Sequence, residues 1–124
     1  MKFFITLCLT LLSLTGIASA ISDKQAVKAI VGEAAGESYF GKVAVAAAIR
    51  NRGNLRGVYG VHSSMIYQQP ASVWREALKA WRESETNDPT HGASYWESTD
   101  FKKPYWADKM HVTAHIGKHV FYKP

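Results

Sequence analysis

The chain has 124 residues, 15 basic and 10 acidic side chains, a formal net charge of +5 at pH 7, and one cysteine. That length gives one domain with one modest core, and a single cysteine excludes a disulfide framework or a cysteine metal site within the chain. No basic run exceeds Lys102-Lys103, so the positive charge reads as attraction to an anionic wall or membrane surface, with no nucleic-acid partner expected.

Lys2, the apolar run Phe3 to Leu14 and the small residues Ala18-Ser19-Ala20 predict a signal peptide over 1–20, cleaved after Ala20. The run is shorter than the roughly 20 residues a membrane span needs, so no stable insertion is expected once it is removed. Cys8 leaves with it. The remainder, 21–124, reads as one exported, monomeric domain without disulfides, which suits a bacterial periplasm or exterior. Ser22-Asp23-Lys24-Gln25 has the spacing of a capping box and predicts a helix over about 23–35. Ala26, Ile30, Glu33 and Glu37 fall near one face by their steps of three and four. Gly36 and Gly41 predict a break or bend. Val43 to Ile49 is apolar on every side and predicts a buried helix, ended by Arg50-Asn51-Arg52 and a Gly53 C-cap. Residues 53–70 read as loop. Ser72 is the expected cap of a third helix over about 73–84, with Trp74 and Trp81 on its inward stripe.

Asn87 to Gly92 is a turn cluster. Beyond it, 93–96, 111–114 and 119–122 read as short strands, with a turn at Ile116-Gly117-Lys118. The intervening loop, 97–110, is rich in aromatic residues. The expected class is α+β: about three helices followed by a small antiparallel β-sheet.

Two carboxylates stand out: Glu33 and Glu37, four residues apart among glycines and alanines. A charged side chain on an apolar stripe needs a partner or a task. From the residues alone, the pair also reads as acids bound to Arg50 or Arg52.

Gly32-Glu33-Ala34-x-Gly36-Glu37, followed by Gly41 to Ala47 and Asn51-Arg52, resembles the signature of the bacterial cell-wall hydrolase family of the spore cortex-lytic (SleB/CwlJ) type. Asp88-Pro89-Thr90-x-Gly92-Ala93 with Tyr95 resembles its second block, and Ile116 to Tyr122 its closing block. The blocks keep the family's order over most of 26–122. The chain departs from the pattern at Val31, where tyrosine is common, at Ala35, where arginine is common, at His91, where glycine is usual, and over 53–70. The resemblance implies a lysozyme-like fold, shared with soluble lytic transglycosylases. It also implies cleavage of peptidoglycan glycan strands between N-acetylmuramic acid and N-acetylglucosamine, and makes Glu33 the catalytic glutamate and His119 a structural or groove residue. It makes 21–124 a cell-wall hydrolase catalytic domain whose partner is peptidoglycan.

Such chemistry needs a proton for the departing oxygen. A glutamate with an ordinary pKa near 4.3 is neutral in about one molecule in 500 at pH 7, and burial or a neighbouring carboxylate raises that fraction. Glu37 is the expected tuner or second carboxylate, with Asp88 and Glu97 as further candidates. A lytic transglycosylase needs only one, because the substrate's own hydroxyl closes an anhydro ring, and this single-glutamate route is favoured over muramidase-type hydrolysis. Tyr95, Trp96, Tyr105, Trp106 and Tyr122 are candidate sugar platforms, and Gln68, Ser94 and Thr113 candidate polar contacts, although each aromatic also reads as core. No cofactor or metal is expected. Two other readings stay open. In one, a zinc-dependent N-acetylmuramoyl-L-alanine amidase uses His111, His115 and His119, which recur every four residues. The other is a non-catalytic wall-binding domain.

Overall fold

Ser22 opens the first helix: its side chain accepts a 3.2 Å hydrogen bond from the Gln25 N–H, and α1 runs Asp23–Ala34. The structure is a computed structural model that describes residues 20–124. The expected signal peptide, Ala20 apart, lies outside the described residues. α1 buries Ala26, Val27, Ala29, Ile30, Val31 and Ala34, so its apolar stripe faces the core.

The second helix starts earlier than the sequence suggested. α2 spans Tyr39–Arg52, and the Ser38 side chain caps it by accepting from the Gly41 N–H at 3.1 Å. Gly41 is therefore not a break. It lies in the first turn, where a Cβ would sit 3.0 Å from Glu37 Cβ, so its role is to let that side chain pack closely. Gly41 to Ile49 are all buried, as expected of a helix apolar on every side. The exception in polarity is Lys42, which is 3% exposed. Its ammonium donates to the Glu37 carbonyl at 2.6 Å and pairs with Glu76 at 3.2 Å, so the buried charge is satisfied. Gly53, in the left-handed conformation, ends the helix where expected.

Residues 53–70 are not simple loop but hold two 3-10 turns, Tyr59–His62 and Ser64–Gln68. α3 runs Ala71–Glu83. Ser72 does not cap it. Pro70 occupies that position without a side-chain cap bond, and its ring presets the backbone at the helix entrance. Trp81 is buried as expected, and its indole donates to Asp23 Oδ1 at 2.8 Å. The Arg50 guanidinium covers its ring at 3.5 Å, so α1, α2 and α3 meet at this one side chain. Trp74, by contrast, is only partly buried.

The three strands are β1, Tyr95–Ser98, β2, His111–Ile116, and β3, His119–Lys123. They form an antiparallel sheet in the order β1-β3-β2. β1 starts two residues later than expected, and the turn at Gly117 is where the sequence put it. In the register Tyr95 faces Tyr122, Trp96 faces Phe121 and Ser98 faces His119. Side chains alternate along a strand, so Trp96, Ser98, His119 and Phe121 share one face, and Tyr95, Glu97, Val120 and Tyr122 share the other. Phe121 is fully buried with the helix residues Ile30 and Ile49, so the first face is the one that meets the helices. Among the described residues the architecture is the expected α+β arrangement, three helices and then a three-stranded antiparallel sheet.

A polar knot joins α2 to β1. Asn51 Nδ2 donates to Asp88 Oδ2 at 2.9 Å and to the Ala93 carbonyl at 2.8 Å. Asp88 also accepts from the Thr90 and Gly92 N–H groups and from Thr90 Oγ1. Burial pushes the Asp88 carboxyl up, but these hydrogen bonds outweigh it and hold it below the usual range. Asp88 is thus a turn former, not a second acid. Next to it His91 has φ 58°, the left-handed region, which accounts for the glycine usual at this position. His91→Gly removes a left-handed penalty of about 1–2 kcal/mol and adds about 0.5–1 kcal/mol of chain entropy. Its thermal unfolding midpoint is expected to stay level or rise slightly, and a clear fall would show that the imidazole makes compensating contacts.

Candidate active site

Glu33 sits in the last turn of α1, under the 3-10 turn at Tyr59–His62. Two glycines bring the turn there. A Cβ on Gly32 would lie 1.9 Å from the Gly60 carbonyl oxygen, and a Cβ on Gly60 would lie 2.7 Å from Glu33 Oε2. Only bare backbone at both positions allows this approach. The resulting burial raises the Glu33 pKa. A hydrogen bond from the Trp96 side chain and the charge of Arg52 act in the opposite direction without cancelling it.

Three clefts meet at Glu33. One, of about 330 Å³, runs along β1 past Trp96, Ser98 and Phe101. A second, of about 170 Å³, is bounded by Gly36, Glu37, Lys118 and His119, and it shares Ser98 and Asp100 with the first. A third, of about 250 Å³, is lined by Ser63, Met65 and Gln69 together with Glu33 and Gly36. Val31 and Ala35, two of the departures from the family pattern, line this third cleft. The result is an open groove with a half-buried carboxylic acid in the middle. A larger cavity, about 520 Å³, lies at the opposite end of α1 between Val27, Trp74 and Leu78. Its one carboxylate, Asp23, is committed to Trp81, so the smaller, polar groove is the better chemical site.

Glu37 also lines the groove, but its carboxylate is occupied. Oε1 accepts from the Lys118 N–H at 2.9 Å and lies 3.3 Å from His119 Nδ1. A Cβ on Gly117 would come within 2.3 Å of Oε2. Glu37 therefore clasps the β2–β3 turn to the segment between α1 and α2. His119 is 5% exposed. Burial lowers its pKa, while Glu37, Asp100 and a hydrogen bond to the Glu33 backbone oppose the shift, and the net effect favours a neutral imidazole.

The expected platforms divide by strand parity. Trp96 and His119, on the helix-facing side of the sheet, reach the groove. Tyr95 and Tyr122 do not. They lie on the outer side, where Trp106 packs against both, with ring centroids 5.5 Å and 5.4 Å away. The Tyr122 hydroxyl donates to Glu97, and burial followed by that contact pushes its pKa up to about 12. This also commits the Glu97 carboxylate, although the residue borders the Trp96 cleft. Tyr105 is 86% exposed and lines none of the three clefts. Ser94 donates its N–H to the Tyr122 carbonyl and extends the strand pairing. Thr113 Oγ1 donates to the Phe121 carbonyl. Gln68 lines none of the three clefts, and its neighbour Gln69 lines the third instead. Ser98, Asp100 and Phe101 were missed, because nothing in the sequence shows that the turn after β1 folds toward Glu33.

The three histidines do not converge. His111 pairs with Lys123 at one end of the sheet, and His115, opposite Val120, is on the outer face, away from His119. Among the described residues no group of three or more His, Cys, Asp or Glu side chains is arranged to hold a metal.

The sequence is 32% identical to the spore cortex-lytic enzyme of Halalkalibacterium halodurans, over 86% of this chain and 37% of that protein. It is 34% identical to the spore cortex-lytic enzyme of Bacillus subtilis, over 76% of this chain and 35% of that protein. The chain thus spans less than half the length of these curated relatives. Among solved structures, the catalytic domain of the germination-specific lytic transglycosylase SleB from Bacillus anthracis superposes with a TM-score of 0.63 at 32% identity, covering 82% of this chain and 93% of that one. The catalytic domain of the Bacillus cereus SleB protein gives 0.58 at 27% identity, covering 86% and 97%. No family model matches the sequence.

Proposed function

The chain belongs to the SleB family of spore cortex-lytic catalytic domains, and on that footing we propose that it cleaves peptidoglycan glycan strands by lytic transglycosylation, with Glu33 as the sole acid and base. The observation that carries this reading is a half-buried glutamate, its pKa raised by burial, that borders every cleft of an open groove. Glu33 gives its proton to the oxygen of the bond between N-acetylmuramic acid and N-acetylglucosamine as that bond breaks. The carboxylate then takes the proton of the muramic 6-hydroxyl, whose oxygen bonds to C1 and closes a 1,6-anhydro ring. Trp96 and Arg52 favour the carboxylate formed in the first step, and Gly60 and the turn around it keep bulk water off the acid. The domain, 21–124, works outside the cytoplasm as a monomer on the wall. No helix among the described residues is long and apolar enough to cross a membrane.

Digestion of purified sacculi tests this reading. Mass spectrometry is expected to find 1,6-anhydromuropeptides and no new reducing ends, with no effect of chelators. Free stem peptides lost on chelation would support the amidase instead, and no released fragment would leave a binding domain. New reducing muramic ends would mean that water is the acceptor. The exposed Asp100, which shares two clefts with Glu33, would then be the base to examine.

A further inference from the structure

We infer that Phe101 is a sugar-stacking platform of this groove, placed on one side of the bond to be cut; the inference rests on the glycan-cleaving reading above. Phe101 is 77% exposed, yet it lines the same cleft as Glu33, Trp96 and Ser98. An aromatic ring left in water at the mouth of a polar cleft adds little to the core. The backbone that carries it is nevertheless tied down. The Phe101 N–H donates to the Ser98 carbonyl at 3.3 Å and the Thr99 N–H to the Lys118 carbonyl at 2.7 Å. The Asp100 N–H donates to Ser98 Oγ at 3.2 Å, and the Asp100 carboxylate pairs with Lys118 at 3.4 Å. These contacts tie the turn after β1 to the β2–β3 turn and hold the ring at the groove without burying it.

The other aromatics of the loop lack this combination. Trp106 is packed between Tyr95 and Tyr122, and Tyr105 is exposed away from the groove. The C–H face of a pyranose ring suits an aromatic face that presents no polar group of its own. Glu33 borders both the Phe101 cleft and the cleft lined by Met65 and Gln69, and the Phe101 arm is assigned the sugars on one side of the scissile bond. Phe101 has no group that can transfer a proton. Its contribution is to binding in ground and transition states alike, which appears in KM with kcat nearly constant.

The test uses Glu33→Gln protein titrated with purified glycan strands, followed by calorimetry. Phe101→Ala in that background is expected to weaken binding roughly tenfold, and Phe101→Trp to retain it. In the active protein Phe101→Ala is expected to raise KM by a similar factor with kcat within about twofold. Its melting temperature should be unchanged, since the ring is exposed. Unaltered binding by Phe101→Ala, or a loss confined to kcat, overturns the platform and leaves the glycan-cleaving reading intact. Failure of the Glu33→Gln protein with Phe101 present to bind strands at all overturns that reading, and this inference with it.

Discussion

Glu33→Gln is expected to abolish cleavage while keeping the fold, and at neutral pH to make the protein more stable than the parent. Loss of a general acid or base typically costs about 10²–10⁴ in rate. Here one carboxyl group serves both steps, so the loss should reach about 10⁴ or more. The stability effect follows from linkage. The folded-state pKa of Glu33 lies above its ordinary value of 4.5 because burial disfavours the charge. Between those two values the native state holds more protons than the unfolded chain, so stability falls as pH rises through that window. Glutamine has no such slope. Parent and variant should therefore coincide below pH 4.5 and separate above it, with the variant the more stable. Denaturant unfolding across that range, beside release of soluble fragments from sacculi, checks both halves. A variant with parental activity would remove the site assignment.

Gly32→Ala carries the largest expected loss of stability. Its Cβ would stand 1.9 Å from the Gly60 oxygen and 2.3 Å from the Gly60 carbonyl carbon. Both are backbone atoms and cannot rotate aside, so the 3-10 turn must lift off α1. Overpacking costs typically about 1–3 kcal/mol, and a clash with backbone belongs at the upper end. For a domain of this size, a loss of about 3 kcal/mol lowers the melting temperature by roughly 12–24 °C. Lifting the turn also moves Gly60 away from Glu33 and admits water to the acid. The activity of folded variant should fall too, and the alkaline limb of its pH profile should shift down as the Glu33 pKa relaxes toward 4.5. A melting temperature within a few degrees of the parent would contradict the close contact between helix and turn.

These two residues show why part of the molecule was legible. Glu33 lies in a helix whose cap and stripe are local features, and the steps of three and four from Ala26 placed it on the inward face. Where tertiary contact decided, local reading fell short. Gly41 looked like a break because its glycine character is explained by Glu37 packing over it. Ser72 looked like a cap because serine favours that position, but Pro70 starts the helix earlier. In the sheet, Tyr95 and Trp96 are adjacent aromatics pointing to opposite faces. Only the fully buried Phe121 opposite Trp96 shows which face meets the helices. Both faces are aromatic, so alternation alone could not separate groove residues from the outer cluster of Tyr95, Trp106 and Tyr122. Gln68 and Gln69 differ by one position at the end of a short 3-10 turn, where no long periodicity exists to assign a side.

The account depends on Glu33 holding its proton well above the pH at which an ordinary glutamate loses it. Carbon-detected NMR titration of the glutamate side-chain carboxyls, with Glu33→Gln used to assign the resonance, measures this directly. The expected result is a Glu33 midpoint above 4.5. A midpoint at or below 4.5 would show a solvated, ionised carboxylate and contradict the proposed acid.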